Sequence, residues 1–282
     1  MKGYRNFIII LSVLMVLYIV MEINRPKPVN WNVTLSKDDK IPYGGYIIYQ
    51  QLRNLFPRAR VQSFRTPLYN QLNNFNGSNT AYVLLTPNFS PSIADVNEIK
   101  NYVTRGNYVL ASANVFHRMF LDSLKIKLDA HYSISSKDST STNFVNPTLK
   151  SPANYTFLHT TIDQYFSSLD TARTVILGIN NHQQPDYIKI NYGEGAFLIH
   201  ANPVCFSNYF LLHNSNASYA AKALSYIPAN VSTVFWDEYY KLGPAGASTP
   251  LRFLLSNEYL TWALRLALVG LVLYVLFQMK RR

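Results

Sequence analysis

Cysteine is almost missing: the 282 residues contain one, Cys205. A single thiol forms no intramolecular disulfide, so any fold must rest on its core. Cys205 follows Pro203 and reads as a small buried hydrophobe. Charge is also scarce, at 15% of residues against about 25% for soluble domains. That shortfall points to apolar segments beside a globular part. No Gly-x-Gly-x-x-Gly or Gly-Lys-Ser/Thr run occurs, which leaves no ready phosphate cradle. The six histidines are scattered, with no i, i+4 pair and no HExxH run, so neither a metal nor a cofactor is expected.

Two apolar runs are present instead. Residues 7–21 are broken only by Ser12, and no Ala-x-Ala pattern or lipobox cysteine follows them. That favours an uncleaved anchor over a signal peptide, the competing reading. Residues 260–277 are interrupted only by Arg265, with Tyr259 and Trp262 at the near end. Lys2 and Arg5 precede the first run, and Lys280, Arg281 and Arg282 follow the second. By the positive-inside rule both ends are expected in the cytoplasm. The expected organisation is a transmembrane anchor at 1–23, an exported periplasmic α/β domain at 24–258, and a second transmembrane helix with a basic tip at 259–282. The expected location is a bacterial inner membrane. The exported part keeps 20 basic and 14 acidic residues. Arg53, Arg58, Arg60 and Arg65 cluster within it, as an anionic-surface contact or a solvated basic face. Nucleic acid is not an expected partner.

The middle of the chain carries an α/β pattern. Residues 31–35 alternate like a strand, and 42–45 turn into a helix over 46–56 with one apolar stripe. Residues 59–64 form a second predicted strand. Residues 81–85 are a buried strand, 87–90 a turn, and Ser90 and Pro91 suit the start of a helix that ends at Gly106. A strand follows at 108–111, completing a βαβ unit and hence a parallel sheet. A helix is predicted over 115–124. Residues 131–186 are rich in Ser, Thr and Asn and read as an inserted mixed β region. A hairpin spans 187–200, a helix 217–226, and a last strand 231–236.

In open α/β sheets ligands sit beyond the carboxyl ends of the strands. The residues expected on that rim are Pro42, Tyr43, Gly44, Asn88, Asn114, Asn202, Asn208, Asp237 and Glu238. Each Asn also suits a plain capping role. Asp237 and Glu238 are the leading functional pair, and the alternative is a helix-start carboxylate pair or a salt bridge. A nucleophile elbow is not evident, because the turn expected after residue 111 reads Ser112-Ala113-Asn114 without flanking glycines.

Trp31, Asp39-Lys-Ile-Pro-Tyr-Gly44, Tyr192-Gly-Glu-Gly195, His200-Ala-Asn-Pro203, Phe206-Ser-Asn-Tyr209 and Phe235-Trp-Asp-Glu-Tyr239 together resemble membrane proteins of the domain-of-unknown-function 4350 family, Bacteroidota type. The resemblance implies a flavodoxin-like sandwich similar to class I glutamine amidotransferases, and gene neighbours encoding a MoxR-type AAA+ ATPase and membrane proteins. It implies no established activity. An amidotransferase needs Cys at the elbow, where this chain has Ser112 and Ala113, so glutaminase chemistry is not expected. The expected function is a membrane-anchored, non-catalytic binding or assembly module of an envelope system, with membrane-protein partners and no known small ligand. The alternatives are an envelope hydrolase using Asp237 and Glu238, or a ligand-free scaffold.

Overall fold

The computed structural model describes residues 13–15, 17–18, 20–21, 29–132, 139–158, 162–243, 251, 254–255 and 257–279. Two compact units result, Met1–Asn32 and Val33–Arg282. The second holds the α/β domain.

That domain is built on a nine-stranded sheet in the order β1-β11-β2-β3-β10-β9-β8-β5-β6. The strands are β1 (Arg60–Phe64), β2 (Ala81–Phe89), β3 (Tyr108–Phe116), β5 (Ser139–Phe144), β6 (Tyr155–Leu158), β8 (Thr174–Asn180), β9 (Pro185–Tyr192), β10 (Gly195–His200) and β11 (Thr233–Asp237). β1, β11, β2, β3 and β10 run parallel. The remaining four pair antiparallel. β4 (Lys127–Tyr132) and β7 (Ile162–Ser168) form a separate two-stranded sheet. Most of the expected mixed β insertion therefore continues the main sheet.

Side chains alternate across a strand, and the core divides accordingly. Val83, Leu85, Leu110, Leu198, Val234 and Trp236 lie on one face. Helix α1 (Tyr46–Leu55) brings Ile48 and Leu52 to that face, and α5 (Asn216–Leu224) brings Tyr219 and Ala223. Tyr82, Leu84, Val109, Phe197, Ile199 and Phe235 lie on the other. There α2 (Leu68–Leu72), α3 (Ile93–Thr104) and α4 (Arg118–Ser123) pack Leu72, Ile99, Val103 and Phe120. Helices on both faces of a largely parallel sheet make an α/β sandwich, as the buried strands predict.

Several local expectations are corrected. Residues 31–35 form no strand. The Thr34 and Leu35 amides both donate to the Tyr43 carbonyl, 3.2 and 2.9 Å away, so that backbone is spent inside a loop. Residues 87–89 are not a turn: β2 runs on to Phe89, beside Phe116 of β3. The cap of α3 is therefore Ser92, not Ser90. Its hydroxyl accepts from the Asp95 amide, and the Asp95 carboxylate accepts from the Ser92 amide, which completes a capping box. Val115 and Phe116 belong to β3, so the helix predicted at 115–124 begins at Arg118.

The largest correction concerns the membrane. Among the described residues no helix is long and apolar enough to cross a membrane. Residues 260–277 fall within helix α6 (Glu258–Met279). Its uncharged stretch after Arg265, residues 266–279, gives about 21 Å of rise, against about 30 Å of hydrocarbon. The first run has only 15 residues, also short of a span, and most of its flanks lie outside the described residues. The two membrane helices, the membrane partnership, the inner-membrane location and the periplasmic placement of the domain are accordingly not supported.

Candidate functional site

The expected rim does not assemble as one surface. Asp237 ends β11, where the neighbouring Trp236 pairs with Val83 of β2. Asp237 is thus level with Leu84, while Asn88 stands four residues further along, about 13 Å at strand rise. Asn88 is exposed, and its side-chain oxygen accepts from the Ser90 hydroxyl at 2.9 Å. The Asn114 carbonyl accepts from the Gln164 amide at 2.5 Å, tying β3 to β7. Both are features of the β2–β3 extension.

Asp237 and Glu238 face opposite sides of the sheet. The Asp237 carboxylate accepts from the Tyr82 hydroxyl at 3.0 Å and the Tyr240 amide at 3.0 Å, on the face of Tyr82 and Phe235. Burial pushes its pKa up to about 6. Glu238 turns to the face of Trp236. It accepts from the Trp236 indole at 2.6 Å, the Ser36 hydroxyl at 2.9 Å, the Lys37 amide at 2.9 Å and the Lys241 ammonium at 3.2 Å. The Lys241 side chain is fully buried, 4.0 Å from the Trp236 ring centroid, and burial lowers its pKa against the pull of Glu238.

Asn208 is the matching clamp at the other end of the same loop. Its amide group donates to the carbonyls of Asp39 and Ile41 at 2.9 and 2.8 Å. Its oxygen accepts from the Ile47 amide at 2.9 Å. The Asn208 and Tyr209 amides donate to the carbonyls of Gly44 and Pro42. The Tyr43 ring lies 6.0 Å from that of Phe210. The loop is so tight that a Cβ on Gly44 would collide with the Asp39 carbonyl oxygen, and one on Gly45 with that of Leu35. Thus Pro42, Tyr43, Gly44, Asn208 and Glu238 do come together, around residues 36–45. They hold a loop to the sheet.

Asn202 belongs to another buried network. Its amide donates to His200 Nδ1 at 3.0 Å, and His200 Nε2 lies 2.6 Å from the Tyr219 hydroxyl. With Nδ1 accepting, Nε2 carries the hydrogen and donates. The Ser112 hydroxyl donates to the His200 carbonyl at 3.0 Å. Ser112 sits inside β3, where no strand-to-helix elbow lifts it out, and both residues are fully buried. Burial drives the His200 pKa down to about 3 and pushes the Cys205 thiol well up.

His200 therefore carries a pH signature. Below about 6.5 the unfolded chain takes a proton that the folded imidazole refuses until about 3. Its contribution to stability falls as pH drops through that window, by about 1.4 kcal/mol per unit. Asp237, at about 6, and Asp186, buried at about 7, act with the opposite sign, holding protons the unfolded chain has already lost. The difference between wild type and His200→Gln isolates the imidazole. It is expected to shrink by roughly 2 kcal/mol between pH 6.5 and 4.5 in urea unfolding. A pH-independent difference would exclude this origin.

Local sequence patterns do not reveal the parts played by Ser36 and Tyr219, which lie 202 and 19 residues from their partners. Lys241 does leave a signal, three residues after Glu238 at a helix start, although it is absent from the expected rim. Among the described residues, no group of three or more His, Cys, Asp or Glu is placed to hold a metal ion.

Residues 37–224 match the family described as a domain of unknown function, DUF4350. The chain belongs to the DUF4350 family. That match takes in the loop at 36–45, apart from its first residue, together with Asn202 and Asn208, and stops short of β11. No curated protein matches the chain. Among solved structures, the DUF4350 chain is similar to the mmIFT52 N-terminal domain, with 13% identity and a TM-score of 0.49 over 65% of this chain and 89% of that one. It is also similar to the cytoplasmic protein STM1381 from Salmonella typhimurium LT2, at 13% identity and a TM-score of 0.43 over 64% and 86%. The exo-beta-1,4-mannosidase Op5Man5 from Opitutaceae bacterium strain TAV5 gives 11% identity and 0.36 over 54% of this chain and only 26% of its own. Likenesses this distant carry no argument about activity.

Proposed function

We propose that the DUF4350 domain is a non-catalytic binding module for a protein partner. A MoxR-type AAA+ system is the partner class that the family resemblance implies. The observation that supports this reading is the opposed orientation of Asp237 and Glu238. A hydrolase that uses two carboxyl groups as acid and base needs both to converge on one bond. Here the two side chains turn to opposite faces at the end of β11, and each is committed to hydrogen bonds that hold the fold.

Cross-linking of the full chain in intact cells is expected to recover a discrete protein partner. Asp237→Asn is expected to recover the same partner, because its amide oxygen still accepts from the Tyr240 amide while its NH2 group donates to the Tyr82 hydroxyl oxygen. Recovery of no partner by either chain contradicts the proposal. So does an enzymatic activity that Asp237→Asn abolishes while the fold is kept.

A further inference from the structure

The outer side of β1 is the open edge of the nine-stranded sheet. The Arg60 amide donates to the Ser232 carbonyl, and the Phe64 carbonyl accepts from the Glu238 amide. Backbone groups alternate in direction along a strand, so Arg60, Gln62 and Phe64 bond inward to β11. Val61 and Ser63 turn their N–H and C=O groups outward, and among the described residues no strand pairs with them. Such an edge is a template for an added strand.

The same edge borders a cleft of about 290 Å³. Arg60, Gln62 and Phe64 of β1 form one wall, and Leu72, Phe75 and Phe235 line the apolar part. A strand beside β1 would send alternate side chains over this cleft. That supplies the two elements of strand-addition recognition, backbone pairing and a side-chain pocket.

Charge selects the occupant. No Asp or Glu occurs between Asp39 and Asp95, a stretch that contains α1, β1 and α2 and carries Lys40, Arg53, Arg58, Arg60 and Arg65. Arg53, Arg58 and Arg60 are exposed, and none forms an ion pair among the described residues. Arg65 donates to the carbonyls of Leu242 and Gly243, so it meets no carboxylate either.

We propose that β1 recruits an extended acidic segment of a protein partner, which adds to the sheet as a tenth strand and seats an apolar side chain in the cleft beside Phe64 and Phe75. The inference rests on the binding-module reading and names its surface.

The test uses the full chain and a fluorescent decapeptide alternating glutamate with valine, against the same peptide with lysine for glutamate. The acidic peptide is expected to bind by anisotropy, and the basic one is not. Arg60→Glu and, separately, Ser63→Pro are each expected to weaken binding on the order of tenfold or more. Ser63→Pro removes an outward N–H and leaves the β1–β11 ladder intact, so its melting temperature serves as the check on folding. Amide exchange at Val61 and Ser63 is expected to slow with the acidic peptide bound. Unchanged affinity in Arg60→Glu overturns the proposal. So does polyphosphate binding as tight as the acidic peptide's, with no slowing at Val61 and Ser63. If the peptide fails while cross-linking still recovers a partner, the edge is wrong and the binding module stands. If both fail, both fall.

Discussion

Glu238→Ala is expected to lose about 3–5 kcal/mol of unfolding free energy at pH 7. Four donors lose their acceptor at once: the Trp236 indole, the Ser36 hydroxyl, the Lys37 amide and the Lys241 ammonium. The last is decisive. Removing one partner of a buried pair strands the other charge away from water, which costs far more than the pair itself contributes. Lys241 is buried and its pKa is already lowered by that burial, so removal of Glu238 disfavours its charged form further. Urea unfolding measures the loss. A change under about 1 kcal/mol, the range of an exposed pair, would contradict the buried-pair description.

Asn208→Ala is expected to cost about 3 kcal/mol, because three hydrogen bonds in a partly buried setting are broken and their backbone partners are left unpaired. Asn208→Asp should be worse. Its carboxylate cannot donate, and it would face the carbonyl oxygens of Asp39 and Ile41. Both variants are expected to speed hydrogen exchange at the Ile47 amide far more than in β3 or β10. Since Asn208 and Glu238 grip opposite ends of residues 36–45, their effects should be less than additive. If Asn208→Asp proves as stable as wild type, the donor role assigned to Asn208 is removed.

Much of the fold is legible because buried parallel strands and amphipathic helices leave strong periodic signals. Residues 81–85, 108–111, 187–192 and 196–200 read as strands, and β2, β3, β9 and β10 cover them. Strand ends are not legible. Whether residues 87–89 and 112–116 pair on or turn away depends on the neighbouring strand, and the turns expected around Asn88, Ser112 and Asn114 fail for that reason. The opposed facing of Asp237 and Glu238 is in principle readable, since consecutive residues at the end of a strand point apart. The role of Asn208 is not, because its partners are more than 160 residues away. The apolar runs are real as composition, but among the described residues no helix is both long and apolar enough to cross a membrane.

The central claim is that Glu238, one of the two carboxylates marked by the sequence, holds the fold through its buried pair with Lys241. A double-mutant cycle on Glu238 and Lys241 tests it most directly, with Glu238→Met, Lys241→Met and the double variant unfolded in urea at pH 7. Each single variant is expected to lose several kcal/mol, and the double to recover much of that loss, because no charge is left stranded. Single variants as stable as wild type, or a double variant whose loss is the plain sum of the two, would contradict the account.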